Sequence, residues 1–281
     1  EILDFPAEAQ ADAGPTINYH KPDEDQIAVE LAAALEGRAA YFYGYWRVYE
    51  DGVWTQRDNT EMRRYIRKEV RDYRARGIAV TNRLIGGLLT LLEDDLYIPD
   101  RVIMAAHAEH RRYIPLRNGL FNLDTFELEP HRADLYFLFR LDFEFDEDAD
   151  CPSFMAYLRS SLVHPGTRET DQRLVTLAIE ALAYSMTART DLKSSFWLVG
   201  EKDSGKSTFI ALIKSLMGDL YGTIDLTQLG TNRFLLSGIV GKRVIAFTEA
   251  SGGSLLPEAL YKALTGGSDE IFADVKNRDA I

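Results

Sequence analysis

Apolar residues recur along this chain at two spacings, and the change from one to the other outlines its elements. Asp25 to Leu35 carries them at helical spacing. The aromatic run Tyr41 to Tyr49 then leads through Asp51-Gly52 into Val53-Trp54-Thr55, the order of a strand, a tight turn and a strand. Glu61 to Arg76 predicts an amphipathic helix with Met62, Ile66, Val70 and Tyr73 on one face, and Arg83 to Leu92 predicts a second. A strand-rich stretch from Tyr113 to Phe145 follows, then helices over Ser153 to Leu162 and Arg168 to Thr187. Phe196-Trp197-Leu198-Val199 is a short apolar run suited to a strand buried on both faces. Thr208 to Met217 returns to helical spacing through Phe209, Ile210, Ile213, Leu216 and Met217, and Val244 to Phe247 is a further strand-like run.

Between the strand at Phe196 and the helix at Thr208 the chain reads Gly200-Glu201-Lys202-Asp203-Ser204-Gly205-Lys206-Ser207, a full match to G-x-x-x-x-G-K-[ST]. A loop wrapping a triphosphate must aim backbone N–H groups at phosphate oxygens, and glycine permits that approach; Gly200 and Gly205 are expected to supply left-handed backbone. Lys206 would place its charge on the β- and γ-phosphates of ATP, Ser207 would ligate Mg2+, and Thr208 completes the start of the helix. Downstream, Gly241-Lys242-Arg243 introduces the run ending in Thr248-Glu249. A carboxylate at the end of a strand beside the phosphate-loop strand is placed to polarise water or hold the metal's water shell, and Glu249 is the candidate.

Composition narrows the setting. The 281 residues suffice for two domains, and 46% hydrophobic content excludes a mostly disordered chain. Residues 1–20 are the exception, reading as a linker or tail. A single cysteine, Cys151, excludes an internal disulfide and suggests a reducing cytoplasmic setting, and no stretch approaches membrane-spanning length. His107 and His110 read as solvated surface. The net charge of −12 argues against a generally basic DNA-coating protein, yet Glu61 to Arg76 concentrates seven of the basic residues. That helix offers phosphate contact, docking to an acidic neighbour, or an ordinary solvated face. The aromatic stretch from Tyr41 similarly suits a small core or base stacking, and the acidic run Asp142 to Asp150 a solvated boundary or a hard cation.

Asn118-Gly119-Leu120-Phe121-Asn122-Leu123, Pro130-His131, the acidic approach to Cys151-Pro152-Ser153-Phe154, the phosphate loop, the Gly-Lys-Arg strand and Leu264-Thr265-Gly266-Gly267-Ser268-Asp269 occur in the order of one family's motifs. The chain resembles the phage and plasmid primase-helicases of helicase superfamily 3. The resemblance implies Glu249 as the Walker B acid, Lys276 and Arg278 as phosphate contacts to single-stranded DNA, and a homo-oligomeric, hexameric ring. It also implies a primase domain ahead of residue 1 in a phage- or plasmid-encoded protein. Thr248 stands where many relatives have a second acid, and Ser268 separates Gly267 from Asp269. The family's sensor strand and arginine finger would follow Ile281, so weak hydrolysis is expected of this piece alone.

The expected fold is α/β. A small α/β domain over 21–150 precedes 151–281, a helical collar followed by an AAA+-like parallel-sheet P-loop ATPase. The expected activity is an ATP-dependent DNA helicase. A nucleotide-gated DNA-binding scaffold and a small-molecule kinase are the alternatives.

Overall fold

Asp23, the first described residue, accepts a hydrogen bond from the Gln26 amide at 2.9 Å, while the Gln26 side-chain oxygen accepts one from Asp23 N. This reciprocal cap satisfies the exposed amides that begin helix α1, Glu24–Leu35. The computed structural model describes residues 23–187, 189, 191–225, 238–239, 241–247, 261–262 and 264–265. The expected tail at 1–20 lies outside them.

The aromatic run is two strands rather than one. Tyr43 and Gly44 both take positive φ (52° and 72°), turning β1, Ala39–Phe42, into β2, Tyr45–Glu50; Asp51 and Gly52 (50° and 82°) turn β2 into β3, Val53–Arg57. The three form an antiparallel meander with Phe42 opposite Tyr45 and Tyr49 opposite Trp54. Two successive positive φ values match the right-handed twist of paired strands, which explains both tight turns.

A second reciprocal cap, Asp58 with Glu61, starts α2, Asn59–Glu69. The expected helix to Arg76 finishes as a 3-10 segment over Val70–Arg76, closed by left-handed Gly77. Met62, Ile66 and Val70 are fully buried, as their spacing predicts, each stabilising the fold by roughly 1.5–3 kcal/mol through lost water contact. They pack with α1, Trp46 and α3, Asn82–Asp95. Helix α4, Asp100–Glu109, was not legible: only Ile103 among its residues is buried, so it shows little apolar periodicity.

The strand-rich stretch proves smaller than expected. It holds β4, Tyr113–Leu116, β5, Gly119–Asn122, and the two-residue β6, Leu128–Glu129, all antiparallel. Outside these strands the backbone is held by side chains. Asn118 donates to Phe145 O at 2.9 Å and accepts from Phe145 N at 3.0 Å, while Asn122 Oδ1 accepts from Asp124 N at 2.8 Å. The carboxylates of the acidic run are all exposed, with Asp142 paired to Arg117 at 3.1 Å, and only Phe143 and Phe145 between them are part-shielded. No grouping of three or more potential metal ligands occurs among the described residues.

His110 corrects the expectation of a solvated histidine. It is 9% exposed, stacks on Phe137 at 3.9 Å between ring centroids, and donates from Nε2 to Leu135 O at 2.5 Å. Burial pushes its pKa down from 6.5 to about 4. The unfolded chain therefore takes up this proton first, and stability falls as pH drops from about 6.5 towards 4. Urea unfolding at pH 7 and 4.5 should show His110→Phe removing about 2–3 kcal/mol of the pH-dependent loss.

Helices α5, Pro152–Ser161, and α6, Gln172–Met186, fall close to the expected positions, although α6 starts later, where Asp171 caps it. Leu158 and Val175 share a core with Ile114 and Leu141 from before residue 150, and with Phe209 and Ile213 beyond 200. That core seats the helix that follows the Gly200–Gly205 loop. Helix α7, Lys206–Met217, leads to β7, Tyr221–Ile224, which pairs in parallel with β8, Val244–Phe247.

The run Phe196–Val199 departs from expectation. It forms no strand pairing among the described residues, and Trp197 and Val199 are 80% and 89% exposed. Its apolar character suits a sheet interior, but β8 lies beside β7 instead, so no described strand runs along it.

Candidate functional site

The loop from Gly200 to Gly205 runs into α7 through a left-handed residue. Gly205 is the N-cap at φ 89°, and a Cβ there would come within 2.8 Å of Ser161 Oγ and 3.1 Å of Tyr157 Cε2. Both backbone conformation and space therefore require glycine. Gly200 differs from the sequence expectation: its φ is not positive, and its constraint is room, since a Cβ would meet Ser204 Oγ at 2.8 Å. The other left-handed residue is Asp203, at φ 62°.

Lys206 folds back over the loop. Its Nζ donates to Gly200 O at 2.8 Å, Glu201 O at 2.5 Å and Ser204 Oγ at 3.2 Å. The ammonium thereby gathers the loop carbonyls beside the start of α7. No side chain caps that start among the described residues. The first-turn amides of α7 are then available to an anion, and the helix dipole adds positive potential there. Ser207 and Thr208 are exposed on this turn, as are Glu201, Lys202 and Asp203 on the loop, while Ser204 is half-buried.

Tyr157 is a positioning residue that sequence reading missed. Its hydroxyl donates to Gly205 O at 2.7 Å, tying α5 to the loop. This contact crosses 48 residues, and nothing local to Tyr157 announces it. Tyr157→Phe should lower stability by about 1 kcal/mol in thermal unfolding, the worth of one hydrogen bond, without altering the helix content seen by circular dichroism.

Tyr261 contacts the segment that precedes the loop. Tyr261 OH and Ser195 Oγ are hydrogen-bonded at 2.7 Å, and Trp197 Nε1 donates to Ser195 Oγ at 3.1 Å. Arg243, at the entry to β8, points into the front of the chain: its guanidinium lies 5.1 Å over the Phe139 ring and donates to Thr187 O. Burial lowers the Arg243 pKa from its ordinary value. Glu249, Lys276 and Arg278 lie outside the described residues.

Residues 33–162 match a family model described as "D5 N terminal like", and residues 198–281 match one described as "Family of unknown function (DUF5906)". The first match supports kinship with the phage and plasmid primase-helicases, and through them a link to DNA replication and an enzymatic context. A search of curated proteins finds no match. No helix among the described residues is long and apolar enough to cross a membrane.

Proposed function

We propose that the chain is the ATP-driven helicase part of a phage or plasmid primase-helicase, binding ATP on Gly200–Thr208 and moving along single-stranded DNA as a ring. The observation that carries the reading is the loop itself: a left-handed Gly205, a lysine gathered over the loop, and an uncapped helix start occur together where the sequence motif requires them. A triphosphate suits this set, because backbone amides and one ammonium supply donors that match its oxygens.

Lys206 would exchange its loop carbonyls for phosphate oxygens, and Ser207 would hold the magnesium ion. That ion supplies charge neutralisation between the phosphates when bound. Glu249 orients the attacking water in this reading, and Lys276 and Arg278 contact DNA phosphates. Tyr157 and Ser161 keep the loop backbone in place from α5, so that nucleotide-dependent movement of the loop reaches the front domain. AAA+-like architecture and superfamily 3 membership belong to the same proposal.

Unwinding of a forked duplex by the assembled protein tests it, with light scattering reporting assembly. ATP-dependent strand separation by an oligomer is expected. Assembly with ATP but no unwinding would favour a nucleotide-gated scaffold.

A further inference from the structure

The structure sorts the arginines of α2 and its 3-10 extension into two groups. Arg63 donates to Asn82 O at 3.1 Å, Arg67 donates to Asn82 Oδ1, and Arg76 pairs with Glu30 at 2.6 Å. These three fasten the segment to α3 and α1. Arg64, Lys68, Arg71 and Arg74 are exposed and make no ion pair among the described residues.

The second group forms one stripe. Arg64 and Lys68 stand four apart, and Lys68, Arg71 and Arg74 follow at intervals of three, so the four are neighbours on one face. Met62, Ile66 and Val70 face the core on the opposite side. Arg64 and Arg71 are about 10 Å apart along the axis. Such spacing sets like charges against one another, with only Asp72 interposed, in a chain whose net charge is −12. A solvated face would relieve that repulsion with the acidic residues this chain has in abundance. Three of the four are arginine, whose planar fork matches phosphate.

At the N-terminal end of the same helix lies an open groove of about 430 Å³, lined by Tyr45, Gln56, Asn59 and Glu93 among others. Tyr45 is 38% exposed at the β1–β2 turn. The groove offers a ring for stacking and amide groups for base edges, and its charged lining sets two carboxylates, Asp58 and Glu93, against one cation, Arg57, which is already paired with Glu50, so phosphates favour the basic stripe.

We propose that the front domain carries its own binding track for single-stranded nucleic acid, separate from the nucleotide loop: phosphates along Arg64, Lys68, Arg71 and Arg74, and a base on Tyr45. An exposed ring in the groove at the start of the helix that carries the basic stripe favours a single strand over a duplex, whose bases are already stacked. The inference rests on the proposed DNA reading only in taking the polymer to be nucleic acid.

Fluorescence anisotropy of a labelled oligothymidylate, with the full chain and no ATP, tests it. Arg64→Glu/Arg71→Glu should weaken binding at least tenfold and make the salt dependence shallower by about 1.4, two lost contacts at about 0.7 each. Tyr45→Ala should weaken single-strand binding at least fivefold and leave the salt slope unchanged. Circular dichroism should match wild type for both, with Arg64→Ala/Arg71→Ala as a milder check. Unchanged affinity in the charge-reversed protein would overturn the track, as would a wild-type chain with no affinity for the oligonucleotide. So would a charge reversal that altered only salt-sensitive self-association, which would assign the stripe to an acidic protein surface. DNA-stimulated ATP hydrolysis by the full natural gene product distinguishes the two proposals. Its survival alongside unchanged binding in the variant removes the track alone, and its absence alongside weakened binding removes the helicase reading alone.

Discussion

Lys206→Ala lowers affinity for magnesium-ATP about 100-fold and leaves the chain folded. The two halves of this expectation rest on different contacts. In the fold, Nζ satisfies Gly200 O, Glu201 O and Ser204 Oγ. Gly200 and Glu201 are exposed and Lys206 is half-buried, so water can replace these bonds at small cost. Alanine is also the best helix former at the start of α7. With nucleotide bound, the same ammonium would make charge-assisted bonds worth about 1.5–3 kcal/mol each, and two at the lower end account for roughly a hundredfold. Isothermal titration calorimetry measures the affinity, and thermal unfolding checks the fold. Wild-type affinity in the variant would place the triphosphate elsewhere.

Gly205→Val should be more damaging to the fold. Gly205 sits at φ 89°, and its Cβ would lie 2.8 Å from Ser161 Oγ and 3.1 Å from Tyr157 Cε2. Left-handed backbone costs a residue with a Cβ about 1–2 kcal/mol, and the crowding adds about 1–3 kcal/mol. Urea unfolding should therefore show a loss of about 2–5 kcal/mol, and nucleotide binding should disappear with the displaced loop. Gly205→Ala in a Ser161→Ala background separates the causes. Relief of the steric part returns some stability, while the backbone part remains.

What could be read in advance follows from how local each signal is. Asp51-Gly52 announces its own turn, because the dipeptide and the flanking alternation lie within a few residues. Tyr43-Gly44 makes the same kind of turn, yet Tyr43 (φ 52°) sits inside an aromatic run that reads as continuous strand. Met62, Ile66 and Val70 reveal a buried face through spacing alone, whereas the length of basic helix hides which arginines are engaged. Arg67 belongs to Asn82, and Arg64 and Arg71 are exposed. The burial of His110 depends on Leu135 and Phe137, and the hold of Tyr157 on Gly205 crosses 48 residues; neither leaves a local trace. The loop motif lies within eight residues, so Lys206 and Gly205 were legible as chemistry. Phe196–Val199 carries strand-like composition, but strand pairing depends on distant segments, and β7 and β8 pair with each other.

Coupling between the loop and the front of the chain has a physical route. Tyr157 ties α5 to Gly205 O, and Arg243 joins β8 to Phe139 and Thr187. Leu158 packs in the core that also holds Phe209 of α7, so α5 is held to the loop by a hydrogen bond and to α7 by apolar contact. In the proposed motor, these contacts connect nucleotide state to the domain that carries the basic stripe.

The decisive measurement is ATP hydrolysis by the full natural gene product with and without single-stranded DNA, beside Lys206→Ala. Hydrolysis that DNA stimulates, and that vanishes in the variant, is the result this account predicts. Hydrolysis indifferent to DNA, or turnover that persists without Lys206, would contradict it.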